Sequence, residues 1–98
     1  MATFITSLRF TDKGIAAIRD TAKRAAALKT TAKKMGAKVS EVYWTLGSFD
    51  GLVVFDAPDD ETATALMLQI SSQGNVHTTT SRAFDAAAME KILGKMAK

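Results

Sequence analysis

Residues 46–61 read LGSFDGLVVFDAPDDE, and they predict a turn, a strand and the start of a helix in that order. The run 51–57 is rich in β-branched and aromatic residues, which is typical of a strand. Pro58 ends this strand, and the acidic residues 59–61 with Thr62 supply an N-cap and charges that suit the positive end of a helix dipole. Upstream, residues 38–46 (KVSEVYWTL) form a second strand-like run, so Gly47 to Asp50 read as the connection of a β-hairpin.

The segment before this hairpin predicts a strand followed by a helix. Residues 2–10 alternate in the period-2 pattern of a strand. Residues 11–14 read as a turn, and residues 14–18 are a short apolar link compatible with a helix. A helix is predicted from an N-cap at Asp20 to Lys34, ended by Gly36. Its apolar stripe, at helical spacing, consists of Thr21, Ala25, Leu28, Ala32 and Met35.

The segment after the hairpin predicts a helix, a strand and a C-terminal helix. The helix that starts at residues 59–62 ends at Gly74, and residues 75–84 form a fourth strand that is polar on both faces. Asp85 then caps a C-terminal helix. The predicted buried stripes of the two helices are Ala63, Leu66, Met67 and Ile70, and Met89, Ile92, Leu93 and Met96. The predicted fold is α+β: a ferredoxin-like βαββαβ domain over residues 1–98 with an additional C-terminal helix.

Composition excludes several classes of function. The 98 residues contain no cysteine and one histidine, His77, so neither a metal nor another cofactor is expected. The first ten residues do not resemble a signal peptide, and no run approaches the length of a membrane span, so a cytoplasmic location without a membrane partner is expected. The chain carries a net charge of +3, with a basic first helix beside an acidic middle. The basic run lacks interleaved aromatic residues, which argues against a nucleic-acid partner.

Three separated motifs resemble the GYD domain family of small bacterial and archaeal proteins. They are YWTLGSFD at 43–50, APDDETA at 57–63 and GNVHT at 74–78, and FTDKGI at 10–15 also matches. Phe49 stands where the family has its namesake tyrosine. The resemblance implies a dimeric α+β barrel, in which two four-stranded sheets pack face to face around a space. It implies no established reaction.

Four residues are candidates for a site. Asp50 is either part of the hairpin turn or a base or hydrogen-bond acceptor at the mouth of the barrel. His77 has the one side chain whose ordinary pKa lies near neutrality, and it is either a catalytic proton-transfer group or a surface histidine. Arg82 is placed to hold a carboxylate or to form an interface salt bridge. Tyr43 lies on the opposite face of its strand from Trp44, and both are typical of core or interface anchors.

These observations leave three hypotheses. The first is a homodimer or larger homo-oligomer that binds a small organic ligand in a cavity lined by Tyr43, Asp50, His77 and Arg82. The second is a cofactor-independent enzyme, of oxygenase or isomerase type, that acts on a small organic acid or aromatic with His77 or Asp50 moving a proton. The third is an assembly protein, in which the polar strand, the C-terminal helix and an exposed Leu68 serve only subunit contacts.

Overall fold

A four-stranded antiparallel sheet carries the fold in the computed structural model, which describes residues 1–97. The strands lie in the order β2-β3-β1-β4, which is the order of a ferredoxin-like fold and confirms the prediction. The strands are β1 (Ala2–Phe10), β2 (Lys38–Trp44), β3 (Gly51–Ala57) and β4 (Val76–Ala83). The helices are α1 (Asp12–Ala16), α2 (Thr21–Lys34), α3 (Asp60–Ser71) and α4 (Ala86–Leu93), with a 3₁₀ turn at Ile18–Asp20.

The segment between β1 and α2 differs in part from its prediction. Residues 12–16 form a helix, which agrees with a helical link but replaces the predicted turn, because the Thr11 hydroxyl accepts a hydrogen bond from the Gly14 N–H at 3.1 Å and caps it. Asp20 precedes α2 as predicted, but its side chain makes no capping bond. The 3₁₀ turn gives Asp20 φ −92° and ψ 4°, whereas a capping side chain needs an extended backbone.

The hydrophobic core lies between one face of the sheet and the two longer helices. On the sheet, the rings of Phe4 and Phe55 stack with centroids 5.3 Å apart. The predicted stripes of α2 and α3 supply the other wall. Their buried members are Leu28, Ala32, Ala63, Leu66 and Met67. The buried polar residue Thr6 has its hydroxyl 2.8 Å from the hydroxyl of Thr80 and 3.4 Å from Met67 Sδ, so its polar atom is satisfied.

The other face of the sheet, called the open face below, has no helix packed extensively against it in the described part of the chain. Its centre is apolar, with Ile5 37 % exposed and Leu52 and Val54 half-buried. Register and alternation place further polar and charged residues around this centre. These are Thr3, Ser7 and Arg9 on β1, Lys38, Glu41 and Tyr43 on β2, Asp56 on β3, and His77, Thr79 and Ser81 on β4.

Helix α4 follows β4 directly and makes few contacts with the rest of the protein. The Asp85 carboxylate accepts a hydrogen bond from the Ala88 N–H at 2.8 Å, which confirms the predicted cap. The helix ends at Leu93, so Met96 of the predicted stripe lies beyond it. Met89 and Leu93 are 45 and 52 % exposed, and Met96 is 70 % exposed. The stripe is therefore shorter than predicted, and within residues 1–97 it is largely uncovered.

Candidate functional site

Asp50 closes the loop between β2 and β3 and ties it to β1. Its N–H donates to Leu8 O at 2.7 Å, and its carboxylate accepts from the Phe10 N–H at 2.9 Å. The Thr45 hydroxyl donates to Phe49 O at 2.6 Å, and Gly47 has φ +143°, which glycine adopts readily. Turn geometry thus explains Gly47 and Asp50, and a further role of Asp50 toward a ligand stays a prediction.

Tyr43 and His77 both lie on the open face, but on the two outer strands. The sheet order places three strand spacings between β2 and β4, or roughly 14 Å. His77 is exposed and sits opposite Arg9 in the register of β1 and β4. A small ligand on one sheet therefore reaches one of the two side chains but not both.

The Tyr43 hydroxyl donates a hydrogen bond to Glu41 Oε2 at 3.1 Å. This bond, with the charge of Glu41 beside it, raises the pKa of the Tyr43 phenol above its ordinary value. The phenol is consequently neutral throughout the physiological range, and it offers a ligand one acceptor oxygen.

Arg82 lies on the other face of the sheet, at the opposite end of β1 from His77. It pairs with Phe4 in the register, whereas His77 pairs with Arg9. Its guanidinium donates to Thr3 O at 3.1 Å and to Ala83 O, and it lies over the rings of Phe4 and Phe84 with its central carbon 5.6 and 4.6 Å from their centroids. These contacts fix the point where α4 leaves the sheet.

The structure thus does not bring the four predicted residues into one site within a single chain. Tyr43 and His77 share the open face, Asp50 lies in the ladder at the same end of the sheet, and Arg82 belongs to the helix face at the other end. Alternation along each strand predicts the face of a residue, but the end at which it lies depends on strand order and register.

A pocket of about 100 Å³ lies on the helix face, where α2 and the end of α3 approach the sheet. The indole N–H of Trp44 donates to the Thr21 hydroxyl at 3.0 Å beside it. Two of the predicted site residues, Tyr43 and Asp50, line this pocket. The sequence did not predict the pocket itself, because its lining comes from five separate segments. The lining includes Leu8, Phe10, Thr21, Arg24, Ala25, Leu28, Val42, Trp44, Asp50, Gly51, Val53, Ile70, Gln73 and Val76.

Across residues 1–97, no group of three or more histidine, aspartate or glutamate side chains is placed to hold a metal ion. None of the helices in that range has the length and apolar character to cross a bilayer.

Of the comparisons with known proteins, the one with family models gives a match, and this match covers nearly the whole chain. No curated protein and no solved structure matches the sequence. A family model, that of the GYD domain, matches residues 4–93, from the first core phenylalanine to the last residue of α4. The motifs at 43–50, 57–63 and 74–78 all lie inside this range. The chain therefore belongs to the GYD domain family.

Proposed function

We propose that the protein is a cytoplasmic homodimer that binds a small organic ligand between two open faces. The observation that carries this proposal is the uncovered apolar centre of the open face, formed by Ile5, Leu52 and Val54. A sheet normally covers such a face with a second layer, since apolar area exposed to water costs about 25 cal/mol per Å². A second copy of the same sheet supplies that layer with matching composition.

The second copy also completes the ligand site. When two sheets face each other about an axis parallel to their strands, β2 of one copy lies over β4 of the other. Tyr43 of one copy then approaches the polar strand that carries His77 and Thr79 in the other. The small hydroxyl side chains of β4 leave space there, and they supply hydrogen-bonding groups for the ligand.

The experiment is a native mass measurement combined with analysis of the small molecules released on denaturation. We expect a dimer that carries a stoichiometric organic molecule. Val54→Lys should convert the dimer to a monomer and lose the molecule, because it places a charge in the centre of the open face. Leu68→Lys is the matched control, since Leu68 is 66 % exposed on α3, away from this face. A wild-type monomer would refute the proposal.

A catalytic variant of this proposal rests on His77, whose exposed imidazole lies on the same face. If the bound molecule is a substrate, His77→Ala combined with Asp50→Asn should abolish its turnover while the dimer persists. Unchanged turnover would exclude proton transfer by these residues. A dimer without any released molecule would instead favour a role in assembly alone.

A further inference from the structure

We infer that the pocket beneath α2 binds a small apolar monocarboxylate, with Arg24 holding the carboxylate. This pocket lies on the helix face of the sheet, so the inference is independent of the open face and of any dimer. Three features support this inference: the apolar walls of the pocket, the small side chain of Ala25 that keeps its space open, and an arginine that makes a single hydrogen bond within residues 1–97.

The walls of the pocket are mainly aliphatic and aromatic. Leu28 of α2 and Val53 of β3 are buried in the core, and Ile70 of α3 packs against it. Trp44 adds a large flat surface at the edge strand, and its one polar atom is already bonded to Thr21. Such walls favour an alkyl or aryl group over a polar one.

Small residues line the pocket, and Ala25 keeps it open. Ala25 faces it from α2, and Gly51 lines it from the start of β3. A β-carbon at Gly51 would come within 3.3 Å of Leu8 Cδ1 and 3.1 Å of Tyr43 O, so close packing rather than the free volume requires glycine there. A larger side chain at Ala25 would instead extend into the free volume.

Arg24 is the cation that lines the pocket, and it is half-buried. Within residues 1–97 its guanidinium makes a single hydrogen bond, to Gly14 O at 3.4 Å. A guanidinium has five N–H groups in a planar fork, so most of its donors are available. This geometry matches the two oxygens of a carboxylate, and partial exclusion of water strengthens the pair.

Asp50 also lines the pocket, and its negative charge opposes an anionic ligand. Its Oδ2 is already held by the Phe10 N–H, which lies at the end of the β1–β3 ladder. The carboxylate is therefore engaged in the fold, whereas the guanidinium of Arg24 is the less occupied charged group. The pocket lining thus holds one available cation, Arg24, and one carboxylate, Asp50. This pair of charges favours a ligand with a single carboxylate and no second charge.

The test uses hexanoate as the probe and the fluorescence of Trp44, the single tryptophan of the chain, as the readout. We expect a saturable change in emission with hexanoate and a much smaller response to hexanamide, its uncharged analogue. Arg24→Gln should weaken hexanoate binding at least about tenfold, since a hydrogen-bonded charge pair is lost. Lys23→Gln, an exposed neighbour on the same helix, removes equal charge and should leave binding unchanged.

Two further variants separate this site from alternatives. Ala25→Leu fills the pocket without changing its charge and should abolish binding while circular dichroism shows an intact fold. Val54→Lys, on the open face, should leave hexanoate binding unchanged. No saturable response in the wild type, equal effects of the Arg24 and Lys23 variants, or loss of binding on Val54→Lys would each overturn the inference.

Discussion

The Asp50 carboxylate accepts the Phe10 N–H at 2.9 Å and so continues the β1–β3 ladder with a side-chain oxygen in place of a carbonyl. Asp50→Ala leaves this N–H without its partner and should lower the free energy of unfolding by about 1–3 kcal/mol. Asp50→Asn keeps an acceptor oxygen and should cost less. Urea denaturation measures both, with exposed Ser48→Ala as the loop control. Equal losses for the alanine and asparagine variants would show that this bond contributes little.

Gly14 is buried where α1 meets the loop after α3, and a β-carbon there would lie 2.1 Å from Asn75 O. That carbonyl accepts the Thr11 N–H at 3.1 Å, so it cannot move away without breaking a hydrogen bond. Gly14→Ala should therefore lower the free energy of unfolding by about 1–3 kcal/mol. Gly94→Ala is the matched control, because its nearest contact is an ordinary 3.4 Å. A neutral Gly14→Ala would show that the loop adapts at no cost.

Tyr43 is the single tyrosine, so its ionisation is visible directly in the ultraviolet absorbance of the folded protein. The hydrogen bond to Glu41 raises the pKa of Tyr43 above 10.0, and Glu41→Gln should lower this pKa by removing the charge. The bond favours the protonated phenol. Its stabilising effect is thus fully present below the pKa of an unfolded tyrosine, and it is lost as pH rises through the higher folded pKa. A titration midpoint that Glu41→Gln leaves in place would contradict the assigned cause.

Arg82 lies over the rings of Phe4 and Phe84 and bonds to two backbone carbonyls. Lysine keeps the charge but lacks the planar fork, so Arg82→Lys should lower stability by about 1 kcal/mol. Amide hydrogen exchange should then increase first at the start of α4, which this contact holds to the sheet. Arg19→Lys, at an exposed position, serves as the control. Unchanged exchange in α4 would indicate that Arg82 has no positioning role.

Most of the fold follows from local sequence signals. The strand 51–57 was predicted with its observed bounds, because β-branched residues lie between a glycine and a proline. Asp59 and Asp85 cap their helices as predicted, since each carboxylate reaches the N–H three residues on. Asp20 does not, because it lies in the 3₁₀ turn at Ile18–Asp20, which sets its backbone angles.

The candidate site was less predictable than the fold, because its residues come from segments that are far apart in the sequence. Local patterns do not give the distances between such segments in space. Alternation correctly separated Tyr43 from Trp44 and grouped His77 with Thr79 and Ser81. Alternation alone does not place Tyr43 and His77 on opposite edges; that follows from the strand order of the ferredoxin-like fold, which the structure confirms. Arg24 lies three residues after Thr21 and four before Leu28, so helical spacing places it beside the apolar stripe. No sequence signal indicates that a pocket lies there.

The two outer strands of the sheet differ in regularity. The register of β2 shifts between Val39 and Glu41, which interrupts its edge, whereas β4 runs unbroken from Val76 to Ala83 with no proline. Within residues 1–97, each chain thus has a single sheet edge suited to strand addition. When β4 of one chain pairs antiparallel with β4 of a second chain, the exposed edge of both chains is occupied. Each chain can therefore form one such pairing. Association by this route ends at two chains, and extended fibrils would first require the irregular β2 edge to straighten.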